Sequence, residues 1–403
     1  MDLRFSKEDE AFRAEARSWL TTQLDGDFAH VRGRGGPGDE HALFDERLAW
    51  EQHLGSSGWN CVGWPTEHGG RGLSLHQQVI WFEEYARAGG PGRLGHIGEG
   101  LAGPTIMAFG SPEQQARFLP PIVAGSELWA QGYSEPNAGS DLANVATRAE
   151  ADGDDWRITG QKVWTSLAHW SDWVFVLART DREVVPKHRG ITCFLLPLRQ
   201  EGVEIRPIRQ ITGTCEFNEV FFDGAIARGT DLVGGVNNGW KVAMGTLAFE
   251  RGASTLGQQM AFRNELDEVV DVARKNGCID DPVIRQRLVA AHAGLEIMRW
   301  TTLRVLSGDE TAGPPPPAAM VTKLYWATWH RALGELAMDV LGPEALLGDP
   351  AAAPGAGYQL TALQRLFLFT RSDTIYAGSN QIQRNLIGER ALGLPPEPKV
   401  ATA

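Results

Sequence analysis

The chain lacks an excess of positive charge, paired cysteines and long apolar segments. Its 403 residues carry a formal charge of −12, whereas binding to nucleic acid or an anionic membrane needs a basic surface. No apolar run approaches the ~20 residues of a membrane span, and the charged N-terminus is unlike a signal peptide. We therefore expect a cytoplasmic protein that binds neither nucleic acid nor membrane. The four cysteines form no CxxC pair and no secreted disulfide pattern, which predicts reduced, buried thiols and no metal site: Cys61, Cys193, Cys215 and Cys278.

The order of the periodic segments predicts an α+β multidomain protein. Apolar residues recur at helical spacing from residue 6, where Ser6 and Asp9 form a capping-box pattern, to about residue 125. Short β-branched and aromatic runs separated by Gly, Asp and Pro then follow, as is typical of a sheet or barrel. Helical spacing returns from residue 239. We predict an N-terminal helical domain over residues 1–126, a central β-sheet or barrel domain over 127–236, and a C-terminal helical bundle over 237–403.

Two strings of small, hydroxyl and aromatic residues are the first candidates for a ligand site. QGYSEPNAGSDL, residues 131–142, can bring backbone N–H groups close to a ligand, although a solvated linker has the same composition. GQKVWTSLAHWSDW follows at residues 160–173. In this order the two strings resemble the signature of the acyl-CoA dehydrogenases. HGGRG, FGSPEQQARFLPPI and NNGWKVAMGTLAFER extend the resemblance over nearly the whole chain, which implies the fold of that family and FAD as cofactor.

The resemblance assigns roles to particular positions. Ser134 would bond the pyrimidine side of the isoalloxazine, Trp164 would lie against the ring system, and Ser166 would lie near N5. An indole at that place excludes water from a hydride acceptor. The implied cofactor contacts are Gln131, Tyr133, Ser134, Trp164, Thr165, Ser166, Gly342, Ser379 and Gln381. The implied substrate contacts are Ser140, Gly98 and Tyr376.

The base that removes the α-proton of the thioester is missing from its usual place. The C-terminal loop of relatives reads Tyr-Glu-Gly-Thr/Ser, but Tyr376 is followed here by Ala377, whose methyl group accepts no proton. Other relatives carry the base on the first helix after the sheet domain, where this chain has Glu250. Helical spacing places the carboxylate on a small or apolar face, which would raise its pKa toward the range of a general base. That face consists of Ala243, Leu247, Ser254, Gly257 and Ala261.

Glu250 is therefore the candidate base, and Arg251 is expected to have a positioning or electrostatic role. An ordinary ion pair between these two neighbours is the alternative that spacing alone favours.

Two contacts that the family makes to the cofactor of a neighbouring subunit are altered. ARKNGCIDDPVIRQRL, residues 273–288, has no recognisable Arg-x-x-Phe motif. In MDVLGPEALL, Asp339 and Pro343 replace the Gln and the second Gly of Gln-x-x-Gly-Gly, while Gly342 remains. An Asp close to a pyrophosphate would repel it. The changes indicate either a rearranged adenosine end or a different partner subunit, as in actinobacterial relatives that act on steroid side-chain thioesters as α2β2 assemblies.

The glycine cluster GRLGHIGEGLAG, residues 92–103, lies where relatives line the acyl pocket with helix residues. Missing side chains would leave room for a bulky or branched acyl group, whereas an irregular helix start explains the cluster equally well.

The resemblance implies an oxidoreductase of lipid metabolism of the fatty acid β-oxidation type. The reaction would be FAD-dependent α,β-dehydrogenation of an acyl-CoA to the trans-2-enoyl-CoA, with electron-transferring flavoprotein as acceptor and a homo- or hetero-oligomer, dimer or tetramer, as the assembly. Two alternatives remain. A flavin-dependent monooxygenase of the same superfamily needs no α-proton base and tolerates Ala377. A catalytically silent subunit would only complete the cofactor site of another chain, and the group around Ser134 and Trp164 counts against it.

Overall fold

The computed structural model describes residues 4–249, 257–306, 317–352 and 358–396, and these ranges contain twelve helices and eight strands. The helices before the sheet are α1 (Lys7–Asp25), α2 (Phe44–Ser56), α3 (Leu75–Arg87), α4 (Gly103–Phe109) and α5 (Pro112–Ala124). The strands are β1 (Trp129–Gly132), β2 (Arg148–Asp152), β3 (Asp155–Ser166), β4 (Trp173–Arg179), β5 (Ile191–Pro197), β6 (Val203–Pro207), β7 (Phe217–Ala227) and β8 (Leu232–Val233). The later helices are α6 (Gly239–Phe249), α7 (Gln259–Lys275), α8 (Pro282–Leu306), α9 (Pro317–Met320), α10 (Thr322–Leu341), α11 (Ala362–Phe369) and α12 (Asn380–Leu386).

Side-chain caps determine where several helices begin. The Ser6 Oγ accepts the Asp9 N–H at 3.0 Å while Asp9 Oδ2 accepts the Ser6 N–H at 3.0 Å, which confirms the predicted capping box at α1. Ser111 caps α5 by accepting the Gln114 N–H at 3.2 Å, and Pro112 occupies the first helical position, where its missing N–H costs nothing. The break between α4 and α5 therefore lies at Gly110 and Ser111.

The eight strands form one mostly antiparallel sheet. The order along the sheet is β6-β7-β3-β2-β4-β5-β8, and β1 pairs with β4 in parallel. Strand β4 is buried on both faces, because Phe175 packs with the helices and Val174 packs with strands from the other end of the sheet. Val220 of β7 belongs to the same cluster as Val174. The sheet therefore curls so that strands β4 and β7 share a second apolar core, separate from the core that packs against the helices.

The described part of the chain divides into two compact units. The larger covers residues 15–249, and the smaller consists of residues 4–14 together with the described residues from 257 onward. Helix α6 belongs to the larger unit, where Val242 and Ala243 join the core formed by α4, α5 and the sheet. The smaller unit is built around α7, α8, α10 and α11, whose apolar faces share a core. The three predicted domain ranges themselves stay a prediction.

Among the described residues no helix combines the length and the apolarity that crossing a bilayer needs. All four cysteines are free, with Cys61 and Cys193 fully buried and the other two partly buried.

Candidate active site

Trp164 lies on a bulge in strand β3. The pairing of β3 with β7 shifts register between Lys162 and Thr165, and Trp164 has a left-handed backbone with φ 60°. Its side chain is 59% exposed and meets Phe217 edge-on, with ring centroids 5.9 Å apart. A bulky residue rarely adopts this conformation, and such strain and bulges occur preferentially at functional sites. The bulge therefore presents a large flat apolar side chain at the surface of the larger unit.

The structure brings the two predicted signature strings together at this bulge. The Val163 N–H donates to the Ser134 carbonyl at 3.0 Å, so the segment after β1 lies directly beside Trp164. Ser134 and Ser166 are half-buried, and Thr165 is fully buried. Ser140, further along the same loop, is exposed.

Two buried polar atoms on these strands are candidates for ligand contacts. Nε2 of Gln131 and Oγ1 of Thr165 have no hydrogen-bond partner within the described ranges. Because nearly all buried polar atoms are paired, these two groups on strands β1 and β3 are candidates for contact with a ligand.

A buried ion pair closes the loop that contains Ser140. Lys162 is fully buried and donates from Nζ to Glu135 Oε1 at 2.7 Å and to the Tyr133 carbonyl at 3.1 Å. The same Glu135 carboxylate accepts the N–H groups of Ala146 and Thr147 at 2.6 and 2.9 Å. Burial lowers the pKa of Lys162 to about 8 despite the opposing carboxylate. Burial would raise the pKa of Glu135, but Lys162 and the backbone N–H groups hold it below its ordinary value.

Asn218 of β7 supports the bulge from behind. It is fully buried, and its Nδ2 donates to the Thr165 carbonyl at 2.9 Å and to the Glu216 carbonyl at 3.2 Å. Its Oδ1 lies 3.0 Å from Nδ1 of His169. One amide thus fixes the backbone immediately after Trp164.

Helix α6 is joined to the first signature string by three buried hydroxyls. Thr246 Oγ1 accepts from the Tyr133 hydroxyl at 3.0 Å and lies 2.8 Å from Oγ1 of Thr105 on α4, and it donates to the Val242 carbonyl at 3.1 Å. Thr246 precedes Glu250 by four residues in the sequence.

The predicted base and its neighbour, Glu250 and Arg251, lie outside the described residues. On the predicted apolar face, Ala243 is buried and Leu247 half-buried at the end of α6, while Gly257 is buried and Ala261 exposed in the smaller unit. The predicted base therefore stays a prediction.

The C-terminal loop lies in the smaller unit. Ala377 has φ 53° and Gly378 has φ 79°, so the residue that replaces the usual glutamate has a left-handed backbone that costs about 1–2 kcal/mol for a side chain with Cβ. Ser379 begins α12 by accepting the Ile382 N–H at 3.3 Å, Gln381 is exposed, and Tyr376 is half-buried. Gln383 donates to the Ala377 carbonyl at 3.2 Å. The loop therefore keeps a defined shape without its carboxylate.

Asp339 does not stand as an isolated negative charge. Its Oδ2 lies 2.6 Å from Nη1 of Arg287, with the two side chains 53% and 40% exposed, and the exposed Gly342 follows shortly after with φ 56°. Arg274 is paired with Asp271 at 3.2 Å. Asp339 is therefore paired with a cation that lies 52 residues away in the sequence, and the expected repulsion of a pyrophosphate stays a prediction.

The glycines of residues 92–103 are mostly packed against protein atoms. A Cβ built at Gly98 would lie 3.1 Å from Ile122 and 3.4 Å from Trp129, and one at Gly103 would clash with Trp64 at 2.1 Å. Nothing among the described residues lies within 4 Å of a Cβ built at Gly100. Close packing accounts for Gly98 and Gly103, so the substrate contact assigned to Gly98 stays a prediction.

Comparisons with known proteins agree with this geometry. Models of the N-terminal, middle and C-terminal domains of acyl-CoA dehydrogenases match residues 6–126, 130–225 and 237–392. The chain belongs to the acyl-CoA dehydrogenase family. It is 56% identical to acyl-CoA dehydrogenase IpdE1 of Mycobacterium tuberculosis, over 97% of this chain and 99% of that protein. The family assignment confirms the predicted fold of N-terminal helices, central sheet and C-terminal helices.

Two solved structures resemble the whole chain. One is the "Tcur3481-Tcur3483 steroid ACAD", with 32% identity, a TM-score of 0.84, and coverage of 98% of this chain and 100% of that one. The other is the "ChsE4-ChsE5 complex from Mycobacterium tuberculosis", with 30% identity, a TM-score of 0.81, and coverage of 99% and 100%.

The protein is therefore an oxidoreductase, an acyl-CoA dehydrogenase with FAD as its cofactor. The residues described above fit this group, because an exposed indole, an orphaned amide and an orphaned hydroxyl match the flat face and polar edges of a flavin. Sequence reasoning missed the residues that hold this surface in place: Thr105, Glu135, Lys162, Asn218 and Thr246. Glu135 and Lys162 lie inside the two signature strings and Thr246 lies inside NNGWKVAMGTLAFER, whereas no sequence signal identified Thr105 and Asn218.

Proposed function

We propose that this enzyme desaturates a bulky, fused-ring acyl-CoA between Cα and Cβ, giving the trans-2-enoyl-CoA, with Glu250 as the base. When bound, FAD supplies the hydride acceptor. Glu250 takes the Cα proton, and Arg251 positions that carboxylate or tunes its charge. Trp164 covers the ring system and excludes water from it, which favours hydride transfer over side reactions.

The main support for Glu250 is the hydrogen-bonded contact between α6 and the first signature string, residues 131–142, which we now call the flavin-binding string. The hydrogen bond between Tyr133 and Thr246 holds the last described turns of α6 beside the segment that leads to Ser134. At the other candidate position, Ala377 offers only a methyl group. The proposed base follows Thr246 by four residues in the sequence, and the described end of α6 is fixed to the flavin-binding string.

The acyl group is inferred from the relatives. The structure with 32% identity is named a steroid acyl-CoA dehydrogenase, and the two proteins share their whole length. Close packing removes Gly98 and Gly103 as sources of extra room, which leaves Gly100 as the position in the glycine cluster where open space is observed in the described structure.

The test uses Glu250→Gln, with Glu201→Gln as the matched control because Glu201 is exposed on the sheet domain. Each purified protein is mixed anaerobically with a panel of straight-chain, branched and steroid side-chain acyl-CoAs, and loss of flavin absorbance is recorded. We expect the wild type and Glu201→Gln to bleach fastest with the fused-ring thioesters. Glu250→Gln should bind FAD and remain oxidised, and rapid bleaching by this variant would contradict the assignment of the base.

The same experiment distinguishes a dehydrogenase from the alternative, a flavin-dependent monooxygenase. A dehydrogenase reduced by its thioester should pass electrons to electron-transferring flavoprotein and react slowly with oxygen. Rapid formation of peroxide or a hydroperoxyflavin on mixing with air would favour the monooxygenase.

We also propose that the enzyme assembles with a second, different acyl-CoA dehydrogenase subunit. Both of the similar structures are named as pairs of proteins, Tcur3481 with Tcur3483 and ChsE4 with ChsE5. Helix α8 exposes a set of large apolar side chains that an assembly would cover, 45–65% accessible each: Val283, Val289, Ile297 and Trp300. Light scattering and FAD content of the chain expressed alone test this. A homotetramer with full FAD and high activity would contradict it.

A further inference from the structure

The smaller unit contains a buried histidine held between two carboxylates. His330 of α10 is 4% exposed, its Nδ1 lies 2.8 Å from Asp373 Oδ2, and its Nε2 lies 2.7 Å from Glu265 Oε2 on α7. A neutral imidazole has one N–H donor, whereas the imidazolium has two. With both carboxylates ionised, both contacts are therefore hydrogen bonds only if the ring is charged. Burial alone would lower the pKa of His330, but the two carboxylates raise it to about 10.

Asp373 extends this contact to the C-terminal loop. Its side chain is fully buried, and Oδ1 accepts the Tyr376 hydroxyl at 2.7 Å. Lys323, also buried, donates from Nζ to the Asp373 carbonyl. One carboxylate thus joins the charged ring to the residue immediately before Ala377.

The loop after Asp373 has an unfavourable backbone that needs external support. Ala377 and Gly378 are both left-handed, and the chain returns to helix only at α12. Two backbone bonds cross the loop, from the Tyr376 N–H to the Ser372 carbonyl at 3.2 Å and from the Asn380 N–H to the Thr374 carbonyl at 3.0 Å. A strained loop persists when surrounding contacts hold it, and the Asp373 carboxylate is one such contact on its N-terminal side.

We propose that His330 is a positioning residue of this enzyme: its charged ring holds Asp373, and through the Tyr376 hydroxyl Asp373 holds the loop of residues 373–379 in the shape that receives the acyl thioester. The part of this inference that concerns the thioester rests on the proposed function. The part that concerns the loop depends only on the contacts above. Without the cation, Glu265 and Asp373 would be two like charges that face a neutral ring in a mostly buried place, and the loop would lose its anchor.

Two carboxylate variants show whether the His330 cluster positions the loop of residues 373–379 or only stabilises the fold of the smaller unit. Glu265→Gln removes the outer partner of His330 and leaves the Asp373 contact, so the loop should keep its wild-type protection. Asp373→Asn removes the inner partner and should release the loop. A purely structural role would make both variants lower the melting temperature without changing the loop more in one than in the other.

Hydrogen exchange of the FAD-loaded protein without thioester is the first readout. In His330→Gln and Asp373→Asn, the amides of Tyr376 and Asn380 should exchange at least about tenfold faster, while those of β4 are unchanged. Glu265→Gln should match the wild type. Where His330→Gln does not fold, Tyr376→Phe removes the hydroxyl that donates to Asp373 and should loosen the same amides.

Thioester binding is the second readout. Anaerobic titration should show a weaker Kd for the acyl-CoA in His330→Gln, at least about tenfold, with a smaller change in the rate of flavin reduction at saturation. If no thioester bleaches the wild type, the proposed function fails and the exchange experiment still decides the role of His330. Unchanged exchange at Tyr376 and Asn380 in His330→Gln and Tyr376→Phe would overturn the inference.

Discussion

Tyr133 and Thr246 are joined by a buried hydrogen bond of 3.0 Å that links the flavin-binding string to helix α6. The two residues are 113 positions apart in the sequence, and Thr105 of α4 joins the same cluster at 2.8 Å. The contact matters because the candidate base follows α6 in the sequence. Loss of the Tyr133–Thr246 hydrogen bond would let α6 move relative to the flavin-binding string.

We expect Thr246→Val to show whether the Tyr133–Thr246 hydrogen bond positions α6 for catalysis or only stabilises the fold. The substitution keeps the shape but removes the oxygen that accepts from Tyr133, which should cost about 1–3 kcal/mol of unfolding free energy. The rate of flavin reduction by thioester should fall more than FAD affinity does. Thr246→Ser restores the hydroxyl and should recover most of the rate. Equal rates in the Val and Ser variants would show that this contact does not position the base.

Asn218→Ala should weaken FAD binding. The change deletes the amide that holds the Thr165 carbonyl, so the bulge beneath Trp164 loses its support. We expect the Kd for FAD to rise at least about tenfold, equivalent to ~1.4 kcal/mol, measured by fluorescence titration of the apoprotein. Asn238→Ala removes a similar amide-to-carbonyl bond, to Gly234, away from the bulge and is the control. Full FAD retention by Asn218→Ala would contradict this role.

Breaking the pair between Lys162 and Glu135 should destabilise the larger unit strongly. Lys162→Met leaves a mostly buried carboxylate without its cation, and loss of one partner of a buried pair costs about 3–5 kcal/mol. The double variant Lys162→Met with Glu135→Gln should be less damaging than the sum of the two single changes. Urea denaturation of all four proteins measures the coupling, and simple additivity would mean that the two residues act independently.

The charge of His330 predicts how stability depends on pH. Its pKa is raised from 6.5 to about 10 in the folded protein, so between these values the folded state holds a proton that the unfolded state has lost. Stability from this group is complete below pH 6.5 and falls as pH rises toward 10, by about 1.4 kcal/mol for each pH unit.

The measurement compares the unfolding free energy of wild type and His330→Gln from pH 6 to 10. Other groups around the ring also titrate or carry charge, namely Glu265, Glu268, Lys323, Asp373 and Tyr376, and Lys162 in the larger unit has an opposite slope above pH 8. Groups that behave alike in both proteins cancel in the difference. A difference that does not shrink with rising pH would show that His330 is uncharged in the folded protein.

Local signals predicted most elements of this fold. The Ser6 cap, the helical spacing before residue 125 and the short β-branched and aromatic runs of the strands depend on neighbours within a few residues, which the sequence displays directly. The bulge at Trp164 was not predicted, because a register shift depends on the partner strand β7 as well as on β3.

The candidate site was predictable to the extent that its residues lie within continuous strings. Ser134, Trp164 and Ser166 could be named from two such strings, and the missing carboxylate at Ala377 could be read directly. The ion pair between Asp339 and Arg287 was not predicted, because Arg287 lies on a different helix.

The sequence by itself determined the family and the cofactor, and it showed that position 377 has no carboxylate, because these depend on which residue types stand at given places in continuous strings. Only the tertiary structure decided what holds those residues in place. Tyr133 with Thr246, Asn218 with Thr165, and His330 with Asp373 are pairs distant in sequence. Each is a directional contact in a buried place, and its partner is specified by how the elements pack and not by the local chain.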